Sequence, residues 1–167
     1  GSVPIQPDSS SLDPFYVEAR YTTADFFPMF GTPFLYGQGW AAADDEARVR
    51  DVVINSELNQ RLFAGADSVG RTLRVANTAF RIVGGLDNWE PSPHFYDLNT
   101  GSYGYTEQVF LPLQTALGLH MDHNGSSDCW GNGAGGIGGT YPSEECVWLQ
   151  FWVRLDSPAQ VAAYREF

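Results

Sequence analysis

Hydrophobic and polar residues alternate in "FYVEARYTT", residues 15–23, and this pattern predicts a β-strand. Val17 and Ala19 fall on one face, and Arg20 falls on the other. The next segment, "TADFFPMFG", is predicted to form one or two helical turns that end at Gly31. A strand that leads into a short, aromatic helical turn is therefore the first structural unit that the pattern indicates.

The segment "VRDVVINSELNQRLFAG" predicts a buried strand that runs directly into a helix. The strand is Val52–Ile54, and Asn55 or Ser56 is the expected N-cap. Leu58 and Leu62 are four residues apart and share one helix face. A helix with one apolar stripe packs against a sheet, so the two elements are expected to share a core.

After this helix, the hydrophobic period changes from helical to twofold, which predicts a β-hairpin. Leu73 and Val75 lie before the turn "ANT", and Phe80 and Ile82 follow it. Residues 85–108 have no period and many turn-forming residues, so they are predicted to form a long loop or a substrate-sized insertion.

The last third of the chain alternates glycine-rich sequence with short regular elements. "VFLPL" predicts a strand, "QTALGL" a helical turn, and "VWLQFWVRL" a strong strand. Ser157 and Pro158 mark the start of a final helix, as N-cap and first helical residue. Strands mixed with isolated helices predict an α+β fold with small mixed or antiparallel sheets.

The chain length of 167 residues fits one domain or two small lobes. Residues 1–14, "GSVPIQPDSSSLDP", are polar and interrupted by prolines, and they are interpreted as a tag scar and a disordered leader. Residues 15–167 are then the folded domain, with insertions at 87–108 and 118–146. The final helix is short, which suggests that the domain is truncated.

Charge and composition exclude several classes of function. The formal net charge is −11, and the nine basic residues are all arginines, scattered along the chain. Nucleic acid is therefore not an expected partner. The sequence has no run of 18 apolar residues, and without lysine it cannot contain a phosphate-binding P-loop.

Two cysteines bracket the glycine-rich segment "CWGNGAGGIGGTYPSEEC". A segment of this composition does not hold a shape by packing, and we predict a disulfide between Cys129 and Cys146. Closing such a loop stabilises a protein by roughly 3 kcal/mol in the chain-entropy model. The alternative is two free thiols.

Several polar groups are candidates for catalysis or metal binding. His120, Asp122 and His123, with Asp128 nearby, are acceptable zinc or nickel ligands, but solvated side chains on a flexible loop are the favoured interpretation. His94 is a lone loop histidine. We expect no metal, no cofactor and no catalytic residue at these positions.

The acidic run Asp44–Glu46 could pair carboxylates for acid–base chemistry, but an exposed acidic link is the favoured interpretation. The sequence has no G-x-S-x-G motif to support a hydrolase. The chain is therefore expected not to be an enzyme.

Aromatic residues are concentrated in "RYTTADFFPMFGTPFLYGQGW". They are interpreted as a core that covers one end of a small sheet, and a ligand-binding groove is the alternative. The rings assigned to this core are Phe26, Phe27, Phe30, Phe34 and Tyr36.

The order of these segments and their residue patterns resemble the periplasmic core domain of MacB-type ABC transporter permeases, within the MacB and FtsX superfamily. The resemblance is strong over Ala19–Leu86, from "ARYTTADFFPMFGTPFLYGQGW" to "RTLRVANTAFRIVGGL", and looser over "VFLPLQTA" and "VWLQFWVRLDSPAQVAAYREF". The insertions at 87–108 and 118–146 depart from the family pattern.

This resemblance implies a two-lobed domain on the periplasmic side of the bacterial inner membrane, between transmembrane helices of its parent chain. It also implies an ABC ATPase subunit or domain, a periplasmic partner protein and a dimeric permease. The domain would transmit conformational change between the membrane and the periplasm. The alternative is a periplasmic or secreted module that binds a sugar or peptide with two aromatic loops, Trp89–Tyr105 and Trp130–Tyr141.

Overall fold

The computed structural model describes residues 1–7, 13–97, 103–122 and 149–166, and the backbone of two short strands at 128–129 and 146–147. The strands are β1 (Ser2–Pro7), β2 (Phe15–Thr22), β3 (Phe34–Gly37), β4 (Asp51–Ile54), β5 (Thr72–Val75), β6 (Thr78–Leu86), β7 (Val109–Pro112), β8 (Asp128–Cys129) and β9 (Cys146–Val147). The helices are α1 (Phe26–Phe30), α2 (Ala42–Glu46), α3 (Ser56–Phe63), α4 (Leu113–Gly118) and α5 (Pro158–Glu166).

Seven strands form one mixed sheet that closes on itself. Their order is β3-β6-β4-β7-β2-β1-β5, and β5 also pairs with β6. Strand β6 makes this closure possible because it is nine residues long: its first half pairs with β5, and its second half pairs with β4 and β3. The β2–β7 and β4–β6 pairs are parallel and the others are antiparallel. The predicted α+β class is confirmed.

The sheet buries apolar side chains on both of its faces. The aliphatic core takes residues from all six strands of the closed part and from α3 and α4: Val3, Ile5, Val17, Ala19, Val52, Ile54, Leu58, Leu73, Val75, Phe80, Ile82, Val109, Leu111, Ala116 and Met121. Strands β4 and β7 are buried at every position. Val53 of β4 and Phe110 of β7 belong to a second, aromatic core on the other side of the sheet.

Local sequence signals explain most element boundaries. The Asn55 side chain accepts a hydrogen bond from Leu58 N at 2.8 Å and caps α3 as predicted. Gly31 ends α1 with a left-handed conformation (φ 62°). The predicted hairpin turns at Ala76 and Asn77, both with positive φ, as a two-residue turn of type I′ requires.

The prediction of a disordered leader is wrong for residues 2–7, which form β1. This strand lies between β2 and β5 and buries Val3 and Ile5 in the aliphatic core. Its apolar residues occupy every second position, and this periodicity outweighs the two prolines and the polar neighbours. Residues 8–12 lie outside the described part of the chain.

The predicted strand "VWLQFWVRL" is confirmed only at Val147, which belongs to β9, and is wrong over residues 149–155. Residues 149–155 have no strand conformation, and the described part of the chain offers them no partner strand. A strand needs a neighbour for its main-chain hydrogen bonds, so a good pattern alone does not form one. The helix that follows does begin at Pro158, and Ser157 Oγ accepts a hydrogen bond from Gln160 N at 3.2 Å.

Candidate functional site

The aromatic core is built around helix α1. Phe26 and Phe27 are buried, and the Phe27 ring packs edge-on against Trp40 with centroids 4.9 Å apart. Phe30 and Phe34 pack at the margin of this core, which confirms their predicted place. Tyr36 does not join it, and its hydroxyl instead donates to Gly65 O at 3.0 Å. The aromatic stretch therefore supplies a core, and the alternative of an open groove within this stretch is not supported.

The insertion 87–108 contributes to the same core, which the sequence did not predict. Trp89 stacks on Tyr96 with centroids 5.0 Å apart, and the Tyr96 ring also packs against Phe26. His94 is buried and stacks on Tyr96, with ring centroids 5.6 Å apart. Trp89 and Tyr96 among the turn-forming residues are the available signal, because large aromatic side chains are usually buried to a large extent.

A buried cluster of charges lies beside these rings. Its centre is Arg20 of β2, whose Nε donates to Glu107 Oε1 at 2.8 Å and whose Nη2 donates to Asp97. The Tyr96 hydroxyl donates to Glu107 Oε2 at 2.7 Å. The guanidinium also lies over the Tyr96 ring, with Cζ 4.9 Å from its centroid. We call these four residues, Arg20, Tyr96, Asp97 and Glu107, the arginine cluster.

Opposing effects set the protonation states in the arginine cluster. Burial alone lowers the pKa of the Arg20 guanidinium, but the charges and hydrogen bonds of Glu107 and Asp97 outweigh burial and raise this pKa above its ordinary value. Burial, and then the neighbouring Glu107 carboxylate, raise the pKa of the Tyr96 hydroxyl. Arg20 is therefore charged and Tyr96 protonated at neutral pH, so each acts as a hydrogen-bond donor.

The C-terminal segment contacts the same cluster. Trp152 Nε1 donates to the carbonyl oxygen of Tyr96 at 3.1 Å, and the Trp152 ring packs edge-on against Phe30 with centroids 5.9 Å apart. Gln150 Nε2 lies 3.5 Å from Asp97 Oδ1. The arginine cluster is thus the place where the sheet, the insertion and the C-terminal segment meet.

A second buried carboxylate belongs to Asp45 of α2. Asp45 Oδ1 accepts from Trp40 Nε1 at 2.9 Å, and Oδ2 accepts from Ala24 N at 2.7 Å. Burial raises the pKa of this carboxyl group. The prediction of an exposed acidic link is therefore wrong at Asp45. Of the three adjacent acids, α2 directs only Asp45 into the core. Asp44 instead caps the helix, and its side chain accepts a hydrogen bond from Ala41 N at 2.8 Å.

The predicted histidine group is only partly described. His120 and Asp122 are exposed, and Asp122 O accepts a hydrogen bond from the Tyr21 hydroxyl at 2.7 Å. His123 and the side chain of Asp128 lie outside the described residues. Among the residues that the structure describes, no three His, Cys, Asp or Glu side chains are grouped to hold a metal ion.

The two cysteines lie opposite each other on paired backbones. Strands β8 and β9 are antiparallel, with Cys129 in register with Cys146. Their side chains lie outside the described part, so the disulfide stays a prediction.

The arginine cluster links separate segments of the chain through hydrogen bonds and ion pairs. Its carboxylates accept from Arg20 and Tyr96, and their exposed fractions are small: 8% for the Asp97 side chain and 11% for Glu107.

The surface depression beside α5 is lined by Leu155, Pro158, Val161 and Arg165 among others, and it shares no residue with the cluster. Within the described residues, no helix is long and apolar enough to cross a bilayer.

Comparison with known proteins identifies relatives of this fold. The model of the MacB-like periplasmic core domain family matches residues 3–166. The crystal structure of the periplasmic region of MacB from Actinobacillus actinomycetemcomitans superposes with a TM-score of 0.54 at 14% identity, and the match covers 75% of this chain and 50% of that chain.

A second solved structure is the extracellular domain of the noncanonic ABC-type transporter YknZ from Gram-positive bacteria. Its TM-score is 0.55 at 9% identity, and the match covers 75% of this chain and 57% of that chain. At such identities the likeness is one of fold, and the chain spans only about half the length of both structures. None of the curated proteins matches the chain.

Proposed function

The chain belongs to the MacB-like periplasmic core domain family, and on that premise we propose that it is the extracytoplasmic domain of an ABC transporter permease. In this role it transmits conformational change between the membrane and the substrate or partner proteins outside it. The observation that carries the proposal is the family match, which runs from residue 3 to residue 166.

The packing of the domain supports a mechanical role. Strands β4 and β7 are buried on both faces, and the aromatic core joins α1 to the sheet and to the insertion. Protein interiors packed in this way are stiff and transmit strain. A displacement applied to one edge of such a body moves the whole of it.

The proposal assigns the chemistry of transport to other parts of the parent protein. ATP hydrolysis belongs to an ABC ATPase subunit or domain, and this domain is non-enzymatic. Its partners are the transmembrane helices of its own parent chain and a periplasmic protein, within a dimeric permease at the bacterial inner membrane.

A topology experiment tests the location. In the parent protein, alkaline phosphatase or green fluorescent protein is inserted beside Tyr103, an exposed loop residue. Alkaline phosphatase is expected to be active and the fluorescent protein dark, since the first folds outside the cytoplasm and the second inside it. The reverse result would contradict an extracytoplasmic domain.

A distance measurement tests the transmission. Spin labels are placed at Leu35, which is exposed beside the sheet edge, and at the outer end of a transmembrane helix of the parent permease. The label distance is expected to differ between the nucleotide-free and ATP-trapped complexes. A label pair within the domain, at Leu35 of β3 and Val69 in the turn before β5, should show no change. Identical distances in both states would contradict the transmission role.

One observation keeps the ligand-binding alternative open. Tyr103 and Tyr105 are 82% and 91% exposed, and such aromatic rings stack well on sugars or peptides. Trp89 and Tyr96, which the same hypothesis placed in this loop, belong instead to the aromatic core. Residues 130–141 lie outside the described part. Saturable binding of a glycan or peptide, lost in Tyr103→Ala and Tyr105→Ala, would favour this alternative.

The disulfide between Cys129 and Cys146 forms part of the proposal. Directly opposite residues of an antiparallel pair have Cα atoms about 4.5–5.5 Å apart, which is within the range that a disulfide spans. A thiol count on the denatured, unreduced chain should find no free thiol. Two reactive thiols would overturn the pairing without bearing on the family.

A further inference from the structure

The C-terminal segment, residues 149–166, has few attachments to the rest of the described chain. Helix α5 buries none of its side chains. Phe151 is 79% exposed, and Leu149 and Val153 on the same side of the segment are exposed as well. Gln150 and Trp152 make contacts that attach this segment to the rest of the described chain.

The hydrogen bonds of both residues end on the insertion, and the Trp152 ring also packs against Phe30 of α1. Trp152 donates to the main chain of Tyr96, and Gln150 approaches the carboxylate of Asp97. We propose that residues 87–97 are a joint that fastens the C-terminal segment to the closed sheet, and that Arg20 is the positioning residue of this joint. The joint does not depend on the proposed transporter function.

The sheet holds the fixed side of the joint. Arg20 of β2 lies in register with Phe110 of β7, and Glu107 lies just before β7. These two residues are thus held by a parallel strand pair in the middle of the sheet, and the Nε of Arg20 contacts Glu107 at 2.8 Å. The second arm of the guanidinium reaches Asp97, and the Glu107 carboxylate accepts from Tyr96.

The insertion forms the other side of the joint. Asp97 and Tyr96 are adjacent in an irregular loop, and each carries one contact to the sheet through the arginine cluster and one to the C-terminal segment. A shift of this dipeptide would therefore move or release Trp152. Because the contacts of Gln150 and Trp152 are few compared with the hydrogen bonds of the sheet, the joint should open without unfolding the domain.

The inference can be tested by NMR relaxation on the 167-residue chain. We expect the backbone order parameters of residues 149–155 to be near those of the sheet, about 0.85, and to fall below about 0.6 in Arg20→Gln. The matched control is Arg81→Gln, which removes an arginine paired with Asp51 elsewhere in the sheet. This control should leave residues 149–155 unchanged.

Two further variants separate the sides of the joint. Trp152→Ala should free residues 149–155 while residues 89–97 keep their order parameters. Asp97→Asn should also increase the mobility of residues 149–155, although it retains the Arg20–Glu107 pair. If Arg20→Gln no longer melts cooperatively, Asp97→Asn takes its place in the comparison. The proposal is wrong if residues 149–155 have the same order parameters in the unsubstituted chain, in Trp152→Ala and in Asp97→Asn. A segment that is already mobile in the unsubstituted chain would overturn it too.

Discussion

The two buried carboxylate sites of this domain are built in opposite ways. Asp45 accepts hydrogen bonds from neutral donors, the indole of Trp40 5 residues away and the amide of Ala24 21 residues away. Asp97 and Glu107 instead meet a charged donor, Arg20, which is 77 and 87 residues away in sequence. The first site ties α2 to the residues just before α1, and the second links segments that are far apart in the chain.

This difference has an electrostatic consequence. Without a cation beside it, the buried Asp45 carboxylate has a raised pKa, because burial disfavours its charge and two hydrogen bonds compensate only in part. In the arginine cluster the guanidinium compensates the carboxylates, and removing it would leave two buried acids without a counter-charge. A local site can lose its charge at modest cost, whereas the long-range site cannot lose its cation.

The largest expected effect is therefore at Arg20. Arg20→Ala should lower the free energy of unfolding by about 3–5 kcal/mol, the usual cost of removing one partner of a buried ion pair. Urea denaturation measures this change. In Arg81→Ala the same substitution removes a side chain that is 63% exposed, while its partner Asp51 is only 4% exposed, and we expect a smaller loss because water can approach the arginine side of this pair. Equal losses in both variants would mean that the cluster is no stronger than this half-exposed pair.

The next effect concerns Asp45. Asp45→Ala leaves the indole of Trp40 and the amide of Ala24 without their acceptor, and we expect a loss of about 2–3 kcal/mol. Asp44→Ala is the matched control, since it removes only a helix-capping bond to Ala41, worth about 1 kcal/mol. Chemical denaturation of the two variants compares them directly. If Asp44→Ala were the more damaging, the assignment of Asp45 as the buried acid would be wrong.

These sites show what the sequence could and could not predict. The cap at Asn55, the hairpin at Ala76–Asn77 and the helix start at Pro158 depend on residues a few positions apart, and all three were predicted. The same is true of the aromatic residues of α1. Local physics decides such features, so a local pattern reveals them.

The remaining features depend on contacts between distant residues. Nothing adjacent to Arg20 indicates that its partners are Asp97 and Glu107, and three consecutive acids do not show which one α2 will bury. Closure of the sheet required β6 to pair with three strands, which no window of the sequence displays. Conversely, residues 149–155 have a strand pattern without a strand, because a partner edge is a tertiary requirement.

A smaller effect is expected from the hydroxyl of Tyr96. Tyr96→Phe keeps the ring in the aromatic core but removes the hydrogen bond to Glu107, and we expect a loss of about 1.5–2 kcal/mol. Tyr36→Phe is a suitable control, since its hydroxyl donates to a main-chain carbonyl at a partly exposed site. Thermal unfolding of both variants measures the difference. No loss in Tyr96→Phe would show that Glu107 is satisfied by Arg20 alone.

The smallest expected effect is a difference in pH dependence between the two sites. The pKa of Asp45 is higher in the folded chain than its ordinary value near 4, so the folded chain binds the extra proton as pH falls. The contribution of this group to stability is therefore fully present below about pH 4 and is lost as pH rises through the folded-state pKa. Replacing Asp45 by asparagine should remove this fall.

The Tyr96 hydroxyl should act in the same direction at the alkaline end. Its pKa is also raised in the folded chain, first by burial and then by Glu107, so the unfolded chain releases the proton first and stability falls as pH rises above about 10. Melting temperatures of the unsubstituted chain, Asp45→Asn and Tyr96→Phe, measured across both pH ranges, separate the sites. Asp45→Asn should flatten only the acidic part of the profile, and Tyr96→Phe only the alkaline part. A change in both parts from either substitution would show that the two carboxylate sites are coupled through the aromatic core that lies between Trp40 and Tyr96.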